Sequence, residues 1–221
     1  MIPATQEARC AFILANTRLQ RPPHTPELAL HLADEVTPIW KLTEEALAQI
    51  GLPPPFWAFA WAGGQALARY VLDNPRTVSG RRVIDFASGS GIVGIAAMKA
   101  GAADVLAADI DPFCGAALAL NAQANGVAAA YSDRDLLETP APAWAQVILA
   151  GDICYEKPMT ERVMTWLTAA RKAGAAVLIG DPGRSYFPKS GLTKLAEYQV
   201  ETTRELEDFA VKRTSVWTLD P

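Results

Sequence analysis

Hydrophobic positions along the chain, from residue 83 onward, fall into short apolar runs separated by longer helix-forming stretches. Short apolar runs bounded by turn residues are typical of strands buried on both faces of a sheet. They predict strands at Val83–Phe86, Asp104–Asp109, Ala128–Tyr131, Gln146–Gly151 and Ala176–Gly180. The stretches between them predict helices from Gly91 to Lys99, from Pro112 to Asn125 and from Pro158 to Ala173. This alternation predicts a parallel sheet with helices on both faces.

The C-terminal part of the chain departs from that alternation. A last helix is predicted around Leu192–Tyr198, and two extended runs follow at Val200–Leu206 and Val211–Leu219. A join as short as Glu207–Ala210 demands that these two runs pair antiparallel. The expected fold class is therefore α/β, a doubly wound, mostly parallel, seven-stranded Rossmann-like sheet with an antiparallel C-terminal hairpin strand.

The N-terminal part carries no nucleotide-binding pattern. Residues 4–20 predict an amphipathic helix, and Trp40–Ile50 predicts another. Between them, the alternating leucines of Pro26–Ala33 fit either a short strand or a helical turn. We therefore expect a helical appendage over residues 1–55 and a main domain over residues 56–221. The appendage is either a cap packed over the domain or a lid or partner-docking surface, and the sequence favours neither.

An aromatic segment opens the main domain, and a helix over Gln65–Leu72 follows it. Phe56 and Trp57 are expected to anchor the core, because large aromatic side chains bury much apolar area. Trp61 differs, since it directly precedes paired glycines and the start of the helix. Its ring or its carbonyl group is therefore placed to meet a bound cofactor.

The strand that ends at Phe86 leads into a turn of small residues, in which Ser90 stands between Gly89 and Gly91. Residues without a Cβ let the backbone bend sharply and approach a ligand, and the helix that follows directs its free amides at the turn. Asp85 precedes the turn, and Asp109 ends the next strand, where a carboxylate can accept two ribose hydroxyls. These features predict a pocket for a nucleoside cofactor.

Two cofactor classes fit the glycine spacing, and Asp85 distinguishes them. A carboxylate beside the turn would repel the pyrophosphate of NAD, whereas it would attract the ammonium group of S-adenosylmethionine. The predicted hairpin also extends to the end of the sequence, so we expect no separate catalytic domain for hydride transfer. Asp133, in the polar loop after the third strand, is either a contact to the adenine amine or simply a solvated loop acid.

Composition argues against several classes of function. The net charge of −4 argues against a surface dominated by nucleic-acid contacts. Three widely spaced cysteines and only two histidines, both near the N-terminus, argue against a metal site and suit a reducing compartment. No stretch reaches membrane-spanning length, so we expect a cytoplasmic protein, with an organellar transit peptide left open.

The pattern of Asp85, Gly89, Gly91 and Asp109 resembles that of class I S-adenosylmethionine-dependent methyltransferases. After the fourth strand, Asp152-Ile153-Cys154-Tyr155 resembles the Asp-x-x-Tyr motif of seven-strand protein lysine methyltransferases. In that family the motif is thought to hold the target lysine. The resemblance therefore implies Asp152 and Tyr155 as candidate catalytic residues in contact with substrate.

Further segments look like one branch, the electron transfer flavoprotein beta subunit lysine methyltransferases. They are Pro26–Leu28, Pro38–Trp40 and Phe56–Tyr70. This resemblance implies cofactor contacts from Trp61, Gly89, Gly91, Asp109 and Gly151, and a protein substrate, the electron transfer flavoprotein beta subunit. Ala87 and Ser88 stand where many methyltransferases have a further glycine, which is expected to reshape the methionine end of the pocket slightly.

The chemistry restricts what Asp152 can do. A lysine amine attacks a methyl group only when it is neutral, yet its ordinary pKa is about 10.4. A carboxylate positions the ammonium form but opposes its deprotonation, so a positioning role is favoured over that of a general base. Three alternatives stay open: a ribosomal protein or another substrate, an NAD-dependent oxidoreductase, and a binding module without catalysis. The oligomeric state is also open.

Overall fold

The computed structural model describes residues 3–34, 54–202 and 211–220. The predicted helix Trp40–Ile50 and the join Glu207–Ala210 lie outside the described residues. Within the described part of the N-terminal segment, the elements are α1 (Gln6–Asn16), β1 (Arg18–Gln20) and β2 (Leu30–Leu32). β1 and β2 pair antiparallel, which decides the open question at Pro26–Ala33 in favour of a strand. The predicted helix over residues 4–20 is therefore shorter than expected.

The main domain contains four helices among the described residues, α2 (Ala62–Asp73), α3 (Ile92–Lys99), α4 (Pro112–Asn125) and α5 (Lys157–Lys172). Its strands are β3 (Arg82–Phe86), β4 (Asp104–Ala108), β5 (Ala130–Ser132), β6 (Val147–Gly151), β7 (Ala176–Asp181), β8 (Leu192–Glu201) and β9 (Val211–Leu219). They form one sheet in the order β5-β4-β3-β6-β7-β9-β8. β3 to β7 are parallel, and β9 runs antiparallel to both of its neighbours. The predicted fold class is confirmed.

Successive residues of the central strands are buried in opposite layers. On β6, Ile148 packs with α5 beneath one face, while Leu149 packs with α2 and α3 on the other. Both side chains are fully buried. The strands read as nearly continuous apolar runs, with Asp85 as an exception, because helices cover both faces of the sheet.

The helix predicted around Leu192–Tyr198 is wrong, since these residues begin the long edge strand β8. A register shift between Lys194 and Ala196 leaves Leu195 as an extra residue in the pairing with β9. In the sequence, Leu192, Leu195 and Ala196 stand three and four residues apart, as on the apolar face of a helix. The strand accommodates this spacing because the bulge adds one residue to the pairing.

The described part of the N-terminal segment packs against the main domain. Leu28 and Leu30 belong to the core cluster beside α2 and α3, and Ile13 packs near Phe113 of α4. The Asn125 side chain exchanges two hydrogen bonds with the backbone of Ala29, at 3.0 and 2.6 Å. The division of the chain at residue 55 stays a prediction.

Candidate active site

The carboxyl ends of the parallel strands meet at one edge of the sheet, and a cavity of about 540 Å³ opens there. Open α/β sheets bind ligands at this edge. Six of the predicted site residues line the cavity: Trp61, Gly89, Asp109, Gly151, Asp152 and Tyr155. The other four, Asp85, Ser90, Gly91 and Asp133, are not among its lining residues.

The turn between β3 and α3 reaches the cavity through Ala87 and Gly89, both of which have positive φ. Ala87, at φ 53°, takes a conformation that costs an L-residue energy and that glycine would adopt freely. This is the position at which the sequence departs from the usual glycine-rich turn. Residues held in such conformations concentrate at functional sites.

Gly91 and Ser90 support the turn from behind. A Cβ on Gly91 would lie 2.7 Å from a methyl carbon of Leu118, so glycine is required there for packing against α4. The carbonyl oxygen of Ser90 accepts a 2.8 Å hydrogen bond from the buried Asn121 side chain. Direct contact of these two residues with a cofactor stays a prediction.

Asp85 also lies behind the turn rather than in the cavity. Its carboxylate is fully buried and accepts a 2.8 Å hydrogen bond from the Gly94 amide in the first turn of α3. Burial, with a smaller contribution from the Asp109 charge, raises the pKa of Asp85 to about 8, although the Gly94 hydrogen bond opposes the shift. This position favours a role in orienting α3, and the predicted contact with a cofactor ammonium is untested.

Asp109 presents its carboxylate to the cavity and organises the turn at the same time. One carboxylate oxygen accepts a 3.0 Å hydrogen bond from the Gly89 amide, and the other accepts one of 3.1 Å from the Asp111 amide. A carboxylate has about four lone-pair positions, so acceptor capacity remains for ribose hydroxyls.

Asp135, rather than Asp133, lines the cavity from the polar loop after β5. Its side chain accepts a 2.9 Å hydrogen bond from the Leu137 amide and forms an ion pair with Arg162 at 3.1 Å. An aspartate two residues before the amide it caps is a recognisable signal for a helical turn. That signal was present in the sequence.

Asp152 follows β6 directly and is held from three sides. Its carboxylate accepts hydrogen bonds from the Gly63 amide of α2 at 2.7 Å and from the Arg184 side chain at 2.6 Å. Its own amide donates to the Gly180 carbonyl at 2.9 Å. Asp152 also has a positive φ of 59°, a conformation that aspartate tolerates better than most residues. Sequence reasoning had placed Asp152 at this edge, but it missed Arg184.

Helix α2 reaches Asp152 because glycines remove the side chains between helix and sheet. A Cβ on Gly63 would collide with the Gly180 carbonyl oxygen and would lie 2.8 Å from the Asp152 amide nitrogen. A Cβ on Gly151 would lie 2.8 Å from Gly64. The paired glycines therefore bring the N-terminus of α2, with its free amides, to the carboxylate.

Aromatic side chains form one wall of the cavity. The Phe56 ring lies 5.9 Å from the Trp61 ring and 5.8 Å from the Tyr155 ring, centre to centre. The Trp61 indole donates a 3.0 Å hydrogen bond to the Phe56 carbonyl. Trp57 is buried in the core as predicted, whereas the same prediction for Phe56 is wrong, because its ring is about half exposed. The structure turns Phe56 toward the cavity and Trp57 toward α4.

Burial raises the pKa of the Tyr155 hydroxyl, with smaller contributions from the charges of Asp109, Glu156 and Asp152. Tyr155 therefore acts as a neutral ring and hydroxyl. Among the described residues, no cluster of histidine, cysteine and acidic side chains has the arrangement of a metal site. In the same part of the chain, no helix combines the length and the apolar character that crossing a bilayer requires.

Comparison with known proteins identifies the family of the chain. The chain is 36% identical over 227 residues to the electron transfer flavoprotein beta subunit lysine methyltransferase of Xenopus laevis, covering 99% of this chain and 91% of that protein. It is also 36% identical over 219 residues to the human protein of the same name, covering 96% and 82%. The chain belongs to this lysine methyltransferase family.

Two broader likenesses agree with the family. Residues 65–171 match the family model for ribosomal protein L11 methyltransferase. The crystal structure of magnesium protoporphyrin IX methyltransferase from Synechocystis with bound S-adenosylhomocysteine shares the fold, at a TM-score of 0.51 and 15% identity over 71% of this chain and 81% of that one. Membership of a lysine methyltransferase family argues against the alternative of an NAD-dependent oxidoreductase.

The cofactor of this methyltransferase is S-adenosylmethionine, and the cavity suits it. Its volume lies within the range of about 300–1,000 Å³ that is usual for small-molecule sites. Asp109 has acceptor capacity for a ribose, and Gly89 leaves space beside the carboxylate. The aromatic wall of Phe56, Trp61 and Tyr155 suits a cationic group, since ring faces attract positive charge.

Proposed function

We propose that the protein transfers methyl groups from S-adenosylmethionine to lysine side chains of the electron transfer flavoprotein beta subunit. One observation carries the proposal. Asp152 and Tyr155 line the cavity that Gly89 and Asp109 also line, in a chain aligned along nearly its whole length with relatives that bear this activity in their name. A lysine side chain and an adenosyl group thus have separate sets of contacts within one cavity.

The cofactor side of the cavity is supplied by β3 and β4. Asp109 would accept the ribose hydroxyls, and the Gly89 backbone would bound the adenosyl group. When bound, S-adenosylmethionine supplies an activated methyl group, and the electron pair of the broken carbon–sulfur bond stays on sulfur. The protein then has mainly to orient the nucleophile, which is the most productive use of a rigid site.

The substrate side is supplied by β6 and the aromatic wall. Asp152 positions the lysine nitrogen by a hydrogen bond, and the faces of Phe56 and Tyr155 enclose the side chain near it. The Tyr155 side chain is about half exposed, so the lysine has a route in from solvent. The amine loses its proton to solvent before transfer, because its ordinary pKa is about 10.4.

The test uses purified protein, purified electron transfer flavoprotein and labelled S-adenosylmethionine. We expect label on the beta subunit, and mass spectrometry should locate it on lysine. Asp152→Asn is the matched control, which should bind the cofactor but transfer little. Label on other proteins, such as ribosomal proteins, with none on the flavoprotein would overturn the substrate proposal. Label on no protein would overturn the activity.

For the compartment, we propose the cytoplasm. All three cysteines, Cys10, Cys114 and Cys154, are free thiols, and two of them are buried. Burial also raises the pKa of Cys154 to about 12, which keeps that thiol protonated and unreactive. Free thiols persist in reducing compartments. Fluorescence of a C-terminally tagged chain in its host would test this, and signal confined to the cell envelope or an organelle would contradict it.

A further inference from the structure

The Asp152 carboxylate already carries a cationic partner. The Arg184 side chain donates to it at 2.6 Å, and the two side chains are only 22% and 8% exposed. Both line the cavity. Arg184 is set in place by its own backbone, because its amide donates a 2.8 Å hydrogen bond to Asp181 at the end of β7. The guanidinium is therefore held beside the carboxylate that is proposed to receive the lysine nitrogen.

This arrangement bears on the protonation of the lysine. A carboxylate alone would stabilise the ammonium form and raise the lysine pKa, which lowers the fraction of amine able to attack. A guanidinium keeps its charge at any physiological pH and repels a second cation nearby. Together, the two groups offer an amine a hydrogen-bond acceptor with little net charge.

We propose that Arg184 is a positioning residue that compensates the charge of Asp152, so that the pair orients the target amine without stabilising its protonated form. The inference rests on the proposed function, since it concerns the amine of a lysine substrate. Arg184 acts through Asp152 and is not required to touch the methyl donor.

Other polar and charged groups of the described residues lie at or beside the cavity that holds the pair. Helix α2 contributes the Gly63 amide, which also donates to Asp152. Asp181 on β7 is buried, and burial together with the Asp152 charge raises its pKa to about 6, while Arg184 and two amides oppose the shift. Within the described ranges, further charged or titratable groups at or beside the cavity are Asp109 and Asp111 after β4, Arg134 and Asp135 after β5, Tyr155 and Glu156 after β6, and Arg162 on α5. Arg184 is in direct contact with the carboxylate, so its removal alters the local charge most.

The test measures kcat and KM against pH for Arg184→Gln with the flavoprotein as substrate. We expect the rising limb of the kcat profile to move upward by about one pH unit, which corresponds to roughly tenfold less neutral amine at neutral pH. KM should not rise, because an uncompensated Asp152 attracts the ammonium form. Arg184→Lys should restore much of the wild-type profile, since it returns a positive charge.

The matched control is Arg69→Gln. Arg69 on α2 is 18% exposed and pairs with Glu27 at 2.8 Å and with Asp73 at 2.6 Å, and it does not line the cavity. Its substitution removes an equally shielded guanidinium and should leave the pH profile in place. Binding of S-adenosylhomocysteine, measured by calorimetry, should be the same in both variants and in the wild type.

A uniform loss of kcat across all pH values in Arg184→Gln, with the limb unmoved, would overturn the inference and leave Arg184 with a structural role. Should that variant fail to fold, Arg184→Met, which keeps the length of the side chain, must show the same upward shift. Failure of the proposed function itself would show differently, because the wild type would then methylate no lysine of the flavoprotein.

Discussion

The carboxyl ends of β4 and β6 both border the cavity, and an aspartate directly follows each strand. Asp109 and Asp152 both follow buried parallel strands, and both accept a hydrogen bond from a glycine amide of a distant segment. They differ in a second hydrogen-bond donor. Asp109 accepts a second backbone amide, whereas Asp152 accepts the Arg184 guanidinium. Equivalent acids in equivalent places thus acquire different chemistry from one neighbouring side chain.

Strand order explains why the two acids serve one site. β3 lies between β4 and β6, so Asp109 and Asp152 approach the cavity from opposite sides of the glycine turn. Asp85, on β3 itself, lies behind them and is fully buried. An acid with amide partners and spare acceptor capacity suits ribose hydroxyls, and an acid with a compensating cation suits an amine that must lose its proton.

The largest effect is expected at Asp152. Asp152→Asn should lower kcat by about 100-fold or more, because small losses of alignment are costly in transfer reactions. The affinity for S-adenosylhomocysteine should stay within about twofold, since asparagine tolerates positive φ and still accepts from Gly63. Methyl transfer kinetics and calorimetry check both statements. Undiminished turnover would contradict the assignment of Asp152.

At Asp109 we expect the opposite result, a loss of cofactor affinity with little change in the interaction with the protein substrate. Asp109→Asn should weaken S-adenosylhomocysteine binding by about 10- to 100-fold, since a hydrogen bond to a charged group contributes about 1.5–3 kcal/mol. The KM for the protein substrate should be little changed. Asp104→Asn is the control, because Asp104 lies at the exposed start of β4 and is not among the cavity-lining residues. Equal losses in the two variants would place the cofactor elsewhere.

A third experiment tests how the helix amide reaches Asp152. Gly63→Ala should lower the free energy of unfolding by about 3 kcal/mol, because a Cβ there meets the backbone of β7 and of Asp152. Gly64→Ala should cost less, about 1 kcal/mol, because its nearest neighbour is a side-chain methyl of Ile92, at 3.2 Å, which can shift. Urea unfolding measures both. Equal costs would mean that the close approach at Gly63 is not what limits the packing.

A further effect is a pH dependence of stability, and it concerns Asp85. The pKa of Asp85 is raised from 3.8 to about 8 in the folded chain. Its contribution to stability is therefore full below the unfolded pKa and is lost as pH rises through the folded one. Asparagine at position 85 cannot ionise, although its side-chain oxygen can still accept the hydrogen bond from Gly94. Between about pH 5 and about pH 8, the free energy of unfolding should therefore fall less in Asp85→Asn than in the wild type.

Asp104→Asn, at the exposed start of β4, is the control for that measurement and should keep the wild-type pH dependence. If Asp85→Asn kept the wild-type dependence of the unfolding free energy on pH, the Asp85 carboxyl group would not be exchanging its proton in that range. Urea melts at the two pH values suffice.

The sequence predicted much of the site because strand ends can be read from it. Apolar runs end at recognisable residues, so Asp109 and Asp152 were placed at the correct edge of the sheet. Side-chain direction was harder to predict, since adjacent Phe56 and Trp57 turn opposite ways. Arg184 was missed because its partner is 32 residues away along the chain, beyond any local pattern.

By itself, the sequence determined the parallel α/β architecture, the glycine turn and the acids at the strand ends, because hydrophobic period, turn chemistry and capping act over a few residues. Only the tertiary structure decided which acids face the cavity, that β8 is a bulged strand, and that Arg184 forms an ion pair with Asp152. Those outcomes depend on contacts between segments far apart in the chain. Such contacts exist only once the sheet order has brought the segments together.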